Sequence, residues 1–230
     1  MEQINICYLI NKLYLDLTLK SIGYIKDRFK SKKHKLQFYI VGLDEFETPD
    51  DIIYIKSPYS DMPILWQRVY IPELIGQDKL IFIDSDTIAF TCISKLWDIP
   101  LDDKPIAVAQ HCECKTFGQL LNNWRALKFD PFTTVDPDKP YFNCGVMMFD
   151  CNKWVNENYD TKCLDMIKTY KHTRYRGYDE PGFNYVLLDK WKPLDIKWNY
   201  LPQPHSGYTR CKILHYYGEY PQGTPRHNMF

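Results

Sequence analysis

The chain has 230 residues, 45% of them hydrophobic and 25% charged, with 29 basic residues balanced by 29 acidic ones. This is globular composition at a length that buries a core without staples, which excludes disorder and fibrous repeats. Zero net charge argues against bulk phosphate-backbone binding, which needs a basic face, and no run approaches the ~18 consecutive apolar residues of a membrane span.

No linker, low-complexity run or repeat divides the sequence, so residues 1–230 read as one domain. Short apolar runs alternate with segments of helical periodicity, the pattern of an α/β domain. Residues 4–10 form the first predicted strand. Residues 13–30 carry Leu15, Leu19, Ile22, Ile25 and Phe29 at helical spacing. Strands are predicted at 36–41 and 52–55, closed by Gly42 and by Ser57-Pro58. Residues 63–75 read as a helix that kinks or restarts at Pro72, because proline lacks the N–H and crowds the preceding turn. Residues 79–83 are a nearly continuous apolar strand, as in the middle of a sheet, and run into Asp84-Ser85-Asp86. A strand at 106–109, a helix at 117–127 and a Pro/Asp-rich loop at 135–140 follow. Strand 142–149 contains Gly145. Helices at 159–170 and 179–190 precede a last short strand at 212–214, which runs into His215.

The N-terminus has no basic region followed by an apolar stretch, so no secretory signal is expected. The eight cysteines then read as reduced thiols and the chain as cytoplasmic. His111-Cys112-Glu113-Cys114 offers zinc-binding residue types, but its Cys-x-Cys spacing and the lack of a second pair favour loop thiols. Aromatic residues reach 16%. They serve as core filler, or as flat faces with polar edges for sugars and bases.

Four segments carry chemistry. Asp84 and Asp86 end a buried strand, and ligands of open α/β sheets bind beyond the carboxyl ends of strands. The two carboxylates suit a hard divalent cation facing a phosphate; an Asx-turn is the alternative. His215 ends another apolar run, and imidazole with two carboxylates is a plausible Mn²⁺ set, against an ordinary strand-end histidine. Asn143 and Gly145 interrupt a strand where glycine admits a ligand or another backbone, or marks a packing bulge. Asp179-Glu180-Pro181 is either a helix cap with an acid in the first turn, or two carboxyl groups facing a site together with the Asn184 amide.

In order along the chain these segments resemble the signatures of glycosyltransferase family 8, the glycogenin and bacterial lipopolysaccharide galactosyltransferase relatives. Asp84-Ser85-Asp86 matches the Asp-x-Asp after an apolar strand. Phe142-Asn143-Cys144-Gly145-Val146 is similar to Phe-Asn-Ser/Ala-Gly-Val. Asp179-Glu180-Pro181 with Asn184 resembles Asp-Gln-Pro-x-x-Asn, and His215 with Gly218 resembles His-x-x-Gly. The resemblance covers about residues 4–222 and implies a single GT-A (Rossmann-like) domain with a mixed, mostly parallel sheet flanked by helices. It implies that Asp84, Asp86 and His215 hold Mn²⁺ (or Mg²⁺) against the phosphates of a UDP-sugar. Asn11 and Tyr14 would hold the uridine, with Arg68, Ser85, Asn143, Gly145 and Gly218 completing the donor site. Asn143, Asp179 and Glu180 would line the sugar, Glu180 stabilising an oxocarbenium-like centre. The implied reaction moves glucose, galactose or N-acetylglucosamine to a glycan, protein or small-molecule acceptor with retention, and homodimers are common in the family.

The sequence departs from the family at Glu180, where glutamine is usual. It also lacks the diphosphate-binding lysine in Gly218-Glu219-Tyr220-Pro221-Gln222, where Tyr220 stands and Arg226 is the nearest cation. Two other readings stay open. One is a non-catalytic UDP-sugar or carbohydrate binder on the same fold. The other is a haloacid dehalogenase-like phosphatase with Asp84 as nucleophile, although Ile88 stands where that class has threonine or valine.

Overall fold

The computed structural model describes residues 1–123, 131–170, 178–201 and 211–216. Its strands are β1 (Glu2–Ile10), β2 (His34–Gly42), β3 (Ile52–Lys56), β4 (Lys79–Ile83), β5 (Thr87–Ala89), β6 (Ile106–Gln110), β7 (Phe142–Asp150), β8 (Trp191–Leu194) and β9 (Ile213–His215). Its helices are α1 (Leu15–Arg28), α2 (Ile71–Ile75), α3 (Ser94–Trp97), α4 (Phe117–Asn123), α5 (Cys151–Asn156), α6 (Tyr159–Thr169) and α7 (Glu180–Leu187).

Seven strands form one sheet in the order β3-β2-β1-β4-β7-β6-β8. Neighbours pair in parallel except around β7, which runs antiparallel to both β4 and β6. This is the mixed, mostly parallel sheet flanked by helices that the resemblance implies. Helices cover both faces, so the central strands are apolar on both sides. Alternate residues divide between two cores. Cys7, Leu80, Phe82, Met147 and Phe149 face α5, α6 and α7 through Trp154, Ile167 and Phe183. Ile6, Tyr8, Ile81, Ile83 and Met148 face α1 through Ile22 and Ile25. Each such fully buried aliphatic or aromatic side chain stabilises the fold by about 1.5–3 kcal/mol.

Local differences from the sequence reading have local causes. The predicted helix at 13–30 begins with a 3-10 turn, Lys12–Tyr14, because the Asn11 side chain accepts from Leu13 N and caps it. The helix expected over 63–75 is a 3-10 run, Ile64–Tyr70, followed by α2 with Pro72 in its first turn. The restart therefore falls where proline costs no hydrogen bond. The predicted helix at 179–190 stops at Leu187, and Trp191–Leu194 is an edge strand that tolerates Pro193. β5, α3 and α5 were not anticipated. Residues 124–127 of the predicted helix at 117–127 lie outside the described residues.

The topology sets up one edge. β1, β4 and β6 all end there, delivering Asn11, Asp84 and His111. Antiparallel β7 begins there, delivering Asn143 and Gly145.

Candidate active site

Asp84 leaves β4 with its N–H donated to Gly145 O at 2.8 Å, and its own carbonyl accepts from Thr87 Oγ1 at 2.9 Å. The chain then turns into β5, whose Thr87 stands opposite His215 of β9 in a two-stranded antiparallel ladder. Tyr216 N donates to Asp86 O at 3.1 Å. This short ladder folds His215 over the carboxylate pair. Its Nε2 lies 3.1 Å from Asp86 Oδ1 and 3.8 Å from Asp84 Oδ2. Among the described residues, Asp84, Asp86 and His215 are the group of three metal-ligating side chains whose ligand atoms fall within 4.8 Å of one another. Two carboxylate oxygens and an imidazole nitrogen suit Mn²⁺ or Mg²⁺. Burial raises the Asp84 pKa to about 6 while Arg68 and His215 pull it down. Burial opposes a charge on His215, but Asp86 and Asp84 raise its pKa above the ordinary histidine value.

Gly145 has a specific steric reason. A Cβ there would overlap the His215 ring and crowd Asn143 Oδ1. The close approach at this glycine is made by an imidazole.

Asp179 occupies the N-cap position of α7, yet its side chain does not cap the helix. Its Oδ2 lies 3.3 Å from Arg68 Nε instead. Arg68 also contacts Asp84 Oδ1 at 3.1 Å, donates to Cys144 O at 3.1 Å, and stacks over Phe82 at 4.7 Å. Arg68 is 4% exposed, so this guanidinium is a buried tie between the acid ending β4 and the acid starting α7. Burial raises the Asp179 pKa, with Arg68 opposing.

Glu180 Oε2 accepts from Asn143 Nδ2 at 2.8 Å and from Cys144 N at 3.3 Å. Burial pushes its pKa up to about 7, against the pull of the Cys144 amide. His111 Nε2 lies 4.0 Å from Glu180 Oε1. His111 Nδ1 accepts from Glu113 N and Cys114 N, both at 3.1 Å, so the ring hydrogen sits on Nε2 and faces the acid. Burial lowers the His111 pKa to about 4, which keeps the ring neutral. The His111–Cys114 segment is therefore a turn closed by its histidine, and it contributes no metal cluster among the described residues. Asn184 clamps α7 to β7, accepting from Phe142 N at 2.8 Å and donating to Phe142 O at 2.9 Å.

Between these two groups stands Asn199. Its Nδ2 donates to Asn143 Oδ1 at 2.7 Å, and its Oδ1 lies 2.9 Å from His215 Nδ1. Asn143 Oδ1 also accepts from Gly145 N at 2.9 Å.

Of the other residues implied by the resemblance, Tyr14 comes near enough to Asp86 that the carboxylate adds to burial in raising its pKa. Ser85 Oγ shares a 2.8 Å hydrogen bond with Thr18 Oγ1, so it faces α1. Gly218, Tyr220 and Arg226 lie outside the described residues. Sequence reasoning did not place His111 and Asn199 in this site. His111 carried a usable signal, since it ends an apolar strand at the same edge as Asp84. Asn199 carried none, because its partners are 16 and 56 positions away.

Comparison with known proteins identifies the family and the fold. The model of glycosyl transferase family 8 matches residues 6–220, and the chain belongs to that family. It is 28% identical over 247 residues to a probable galacturonosyltransferase-like 4 of Arabidopsis thaliana, covering 93% of this chain and 69% of that protein. It is 30% identical over 138 residues to general stress protein A of Bacillus subtilis, covering 58% of this chain and 44% of that one. Among solved structures, the WbbM bifunctional glycosyltransferase superposes with a TM-score of 0.71 at 18% identity, over 95% of this chain and 46% of that one. The galactosyltransferase LgtC, solved with donor and acceptor sugar analogues, superposes with a TM-score of 0.67 at 13% identity, over 93% of this chain and 87% of that one. These two likenesses establish the GT-A fold. The chain thus spans less than half the length of some relatives. Family membership sets aside the phosphatase reading.

Proposed function

We propose that this glycosyltransferase is metal-dependent and retaining, and that it moves a hexose from a UDP-sugar to an acceptor. The observation that carries the reading is the convergence of Asp84, Asp86 and His215 within 4.8 Å at the edge where Asp179 and Glu180 begin α7.

Asp84, Asp86 and His215 would hold Mn²⁺ or Mg²⁺. A bound divalent ion supplies Lewis acidity that neutralises charge growing on the departing UDP. The protein's own residues do the rest. Arg68 holds the Asp84 and Asp179 carboxylates in fixed orientation. Asn11 and Tyr14, at the end of β1, bind the uridine. Asn143, Asp179 and Glu180 line the hexose. Above pH about 7 Glu180 presents an anionic oxygen to the positive charge that develops at the anomeric carbon, an interaction strongest in the transition state. The acceptor is a glycan, protein or small molecule, and a homodimer is compatible with the reading.

The test is UDP release from a panel of UDP-sugars, including UDP-galacturonate, with Mn²⁺ present. Metal-dependent release with at least one donor is expected. Binding of UDP-sugars without release from any of them would make the chain a UDP-sugar binder. Failure to bind any would refute the reading.

A further inference from the structure

The metal-side imidazole and the sugar-side acid are joined by two buried amides. Asn143 is 6% exposed, and Asn199, which ends the 3-10 turn Ile196–Asn199, is 1% exposed. Buried amides are costly unless bonded, and each has one accepting and one donating end. Here a backbone group sets the polarity. Gly145 N can only donate, so the atom of Asn143 that it meets at 2.9 Å is the oxygen. The Asn143 NH₂ therefore faces Glu180 Oε2. Asn199 must in turn offer its NH₂ to Asn143 Oδ1, which leaves its oxygen for His215 Nδ1. An acceptor at Nδ1 places the hydrogen there and leaves the Nε2 lone pair for a cation beside Asp84 and Asp86. Partners of this kind orient metal-ligating histidines, and losing one costs about 10–100-fold in affinity or activity.

We propose that Asn199 is a positioning residue that serves both halves of the site: it fixes His215 with Nε2 aimed at the carboxylate pair and, through Asn143, holds the Glu180 carboxylate. The inference rests on the metal-dependent reading above. It predicts that the two arms can be separated by substitution. Asn199→Asp keeps an acceptor for His215 Nδ1 and removes the donor to Asn143. Asn199→Leu removes both at similar volume.

The experiment measures binding of Mn²⁺ alone by titration calorimetry, UDP release from the best UDP-sugar, and the long-range ¹H–¹⁵N spectrum of the His215 ring in the Mg²⁺-loaded parent. Asn199→Asp is expected to bind Mn²⁺ no more than about threefold more weakly than the parent while UDP release falls at least about tenfold. Asn199→Leu is expected to lose at least about tenfold in Mn²⁺ affinity as well. In the parent, Nδ1 is expected to carry the hydrogen and Nε2 none, a readout that stands even if a variant fails to fold. Folded variants that match the parent, equal losses in both variants, or a parental ring protonated only on Nε2 would each overturn the proposal. A parent that binds no Mn²⁺ overturns the metal reading and this inference with it. A parent that binds Mn²⁺ but releases no UDP overturns the transferase reading and, with it, the Glu180 arm of this inference. Parental binding with unchanged variants overturns this inference alone.

Discussion

Glu180 is an acid held where burial disfavours its charge. Its pKa in the folded protein, about 7, lies above the ordinary value of about 4.3 for an unfolded chain. The folded state therefore binds the proton more tightly, and the stability this confers is lost as pH rises through about 7. Glu180→Gln removes that dependence. Asp84, also raised, leaves a residual slope of the same sign in both proteins. The melting temperature of Glu180→Gln relative to the parent should therefore rise by about 2 °C or more between pH 5 and pH 8, the size of roughly 1 kcal/mol for a chain of this length. A constant difference across that range would mean that Glu180 does not ionise there. The same variant should keep UDP-sugar affinity within a few-fold and lose turnover, because the charge acts on a centre present only in the transition state. Gly145 supplies a second test at this scale. Gly145→Ala drives a methyl group into the His215 ring, so Mn²⁺ affinity should fall at least about tenfold. Overpacking should cost about 1–3 kcal/mol in denaturant unfolding. Calorimetry showing parental Mn²⁺ binding would mean that the ring is free to move aside.

At the scale of elements, the site depends on connections made far from its own sequence. Arg68 stands on the 3-10 run Ile64–Tyr70 and links the end of β4 to the start of α7. Arg68→Met keeps the bulk over Phe82 and strands two acids without their counter-charge. Breaking a buried pair in this way costs about 3–5 kcal/mol, which urea unfolding at pH 7 should register. A loss under 1 kcal/mol would show that the acids do not rely on Arg68. The same distinction between local and distant partners explains what could be read from sequence. β1, β2, β3, β4, β6 and β7 were legible because their apolar runs are long enough to speak for themselves. Asp84 and Asp86 stood out because they follow such a run, and His215 because it closes the short apolar run Ile213-Leu214. β5 is three residues long and is a strand only because β9 lies beside it. β8 was hidden by the helical pattern running up to Lys190, and its Pro193 reads against a strand except at an edge. The turn of Asp179 away from capping and toward Arg68 could not be read either, since a helix start and a site acid use the same residue there.

At the scale of the whole molecule, the sheet gathers its polar residues at one edge and leaves both faces apolar. A ligand bound there stabilises the folded state by mass action. UDP with Mn²⁺ at about a hundred times its dissociation constant should stabilise the protein by about 2.7 kcal/mol, and UDP with Mg²⁺ should act in the same direction. The measurement that bears most directly on the central claim is calorimetric titration of UDP into the protein with Mn²⁺ and again with EDTA, for the parent and for Asp86→Ala. The account predicts saturable UDP binding to the parent with Mn²⁺ and none with EDTA, and no binding to Asp86→Ala under either condition. Equal UDP affinity with and without metal would contradict it.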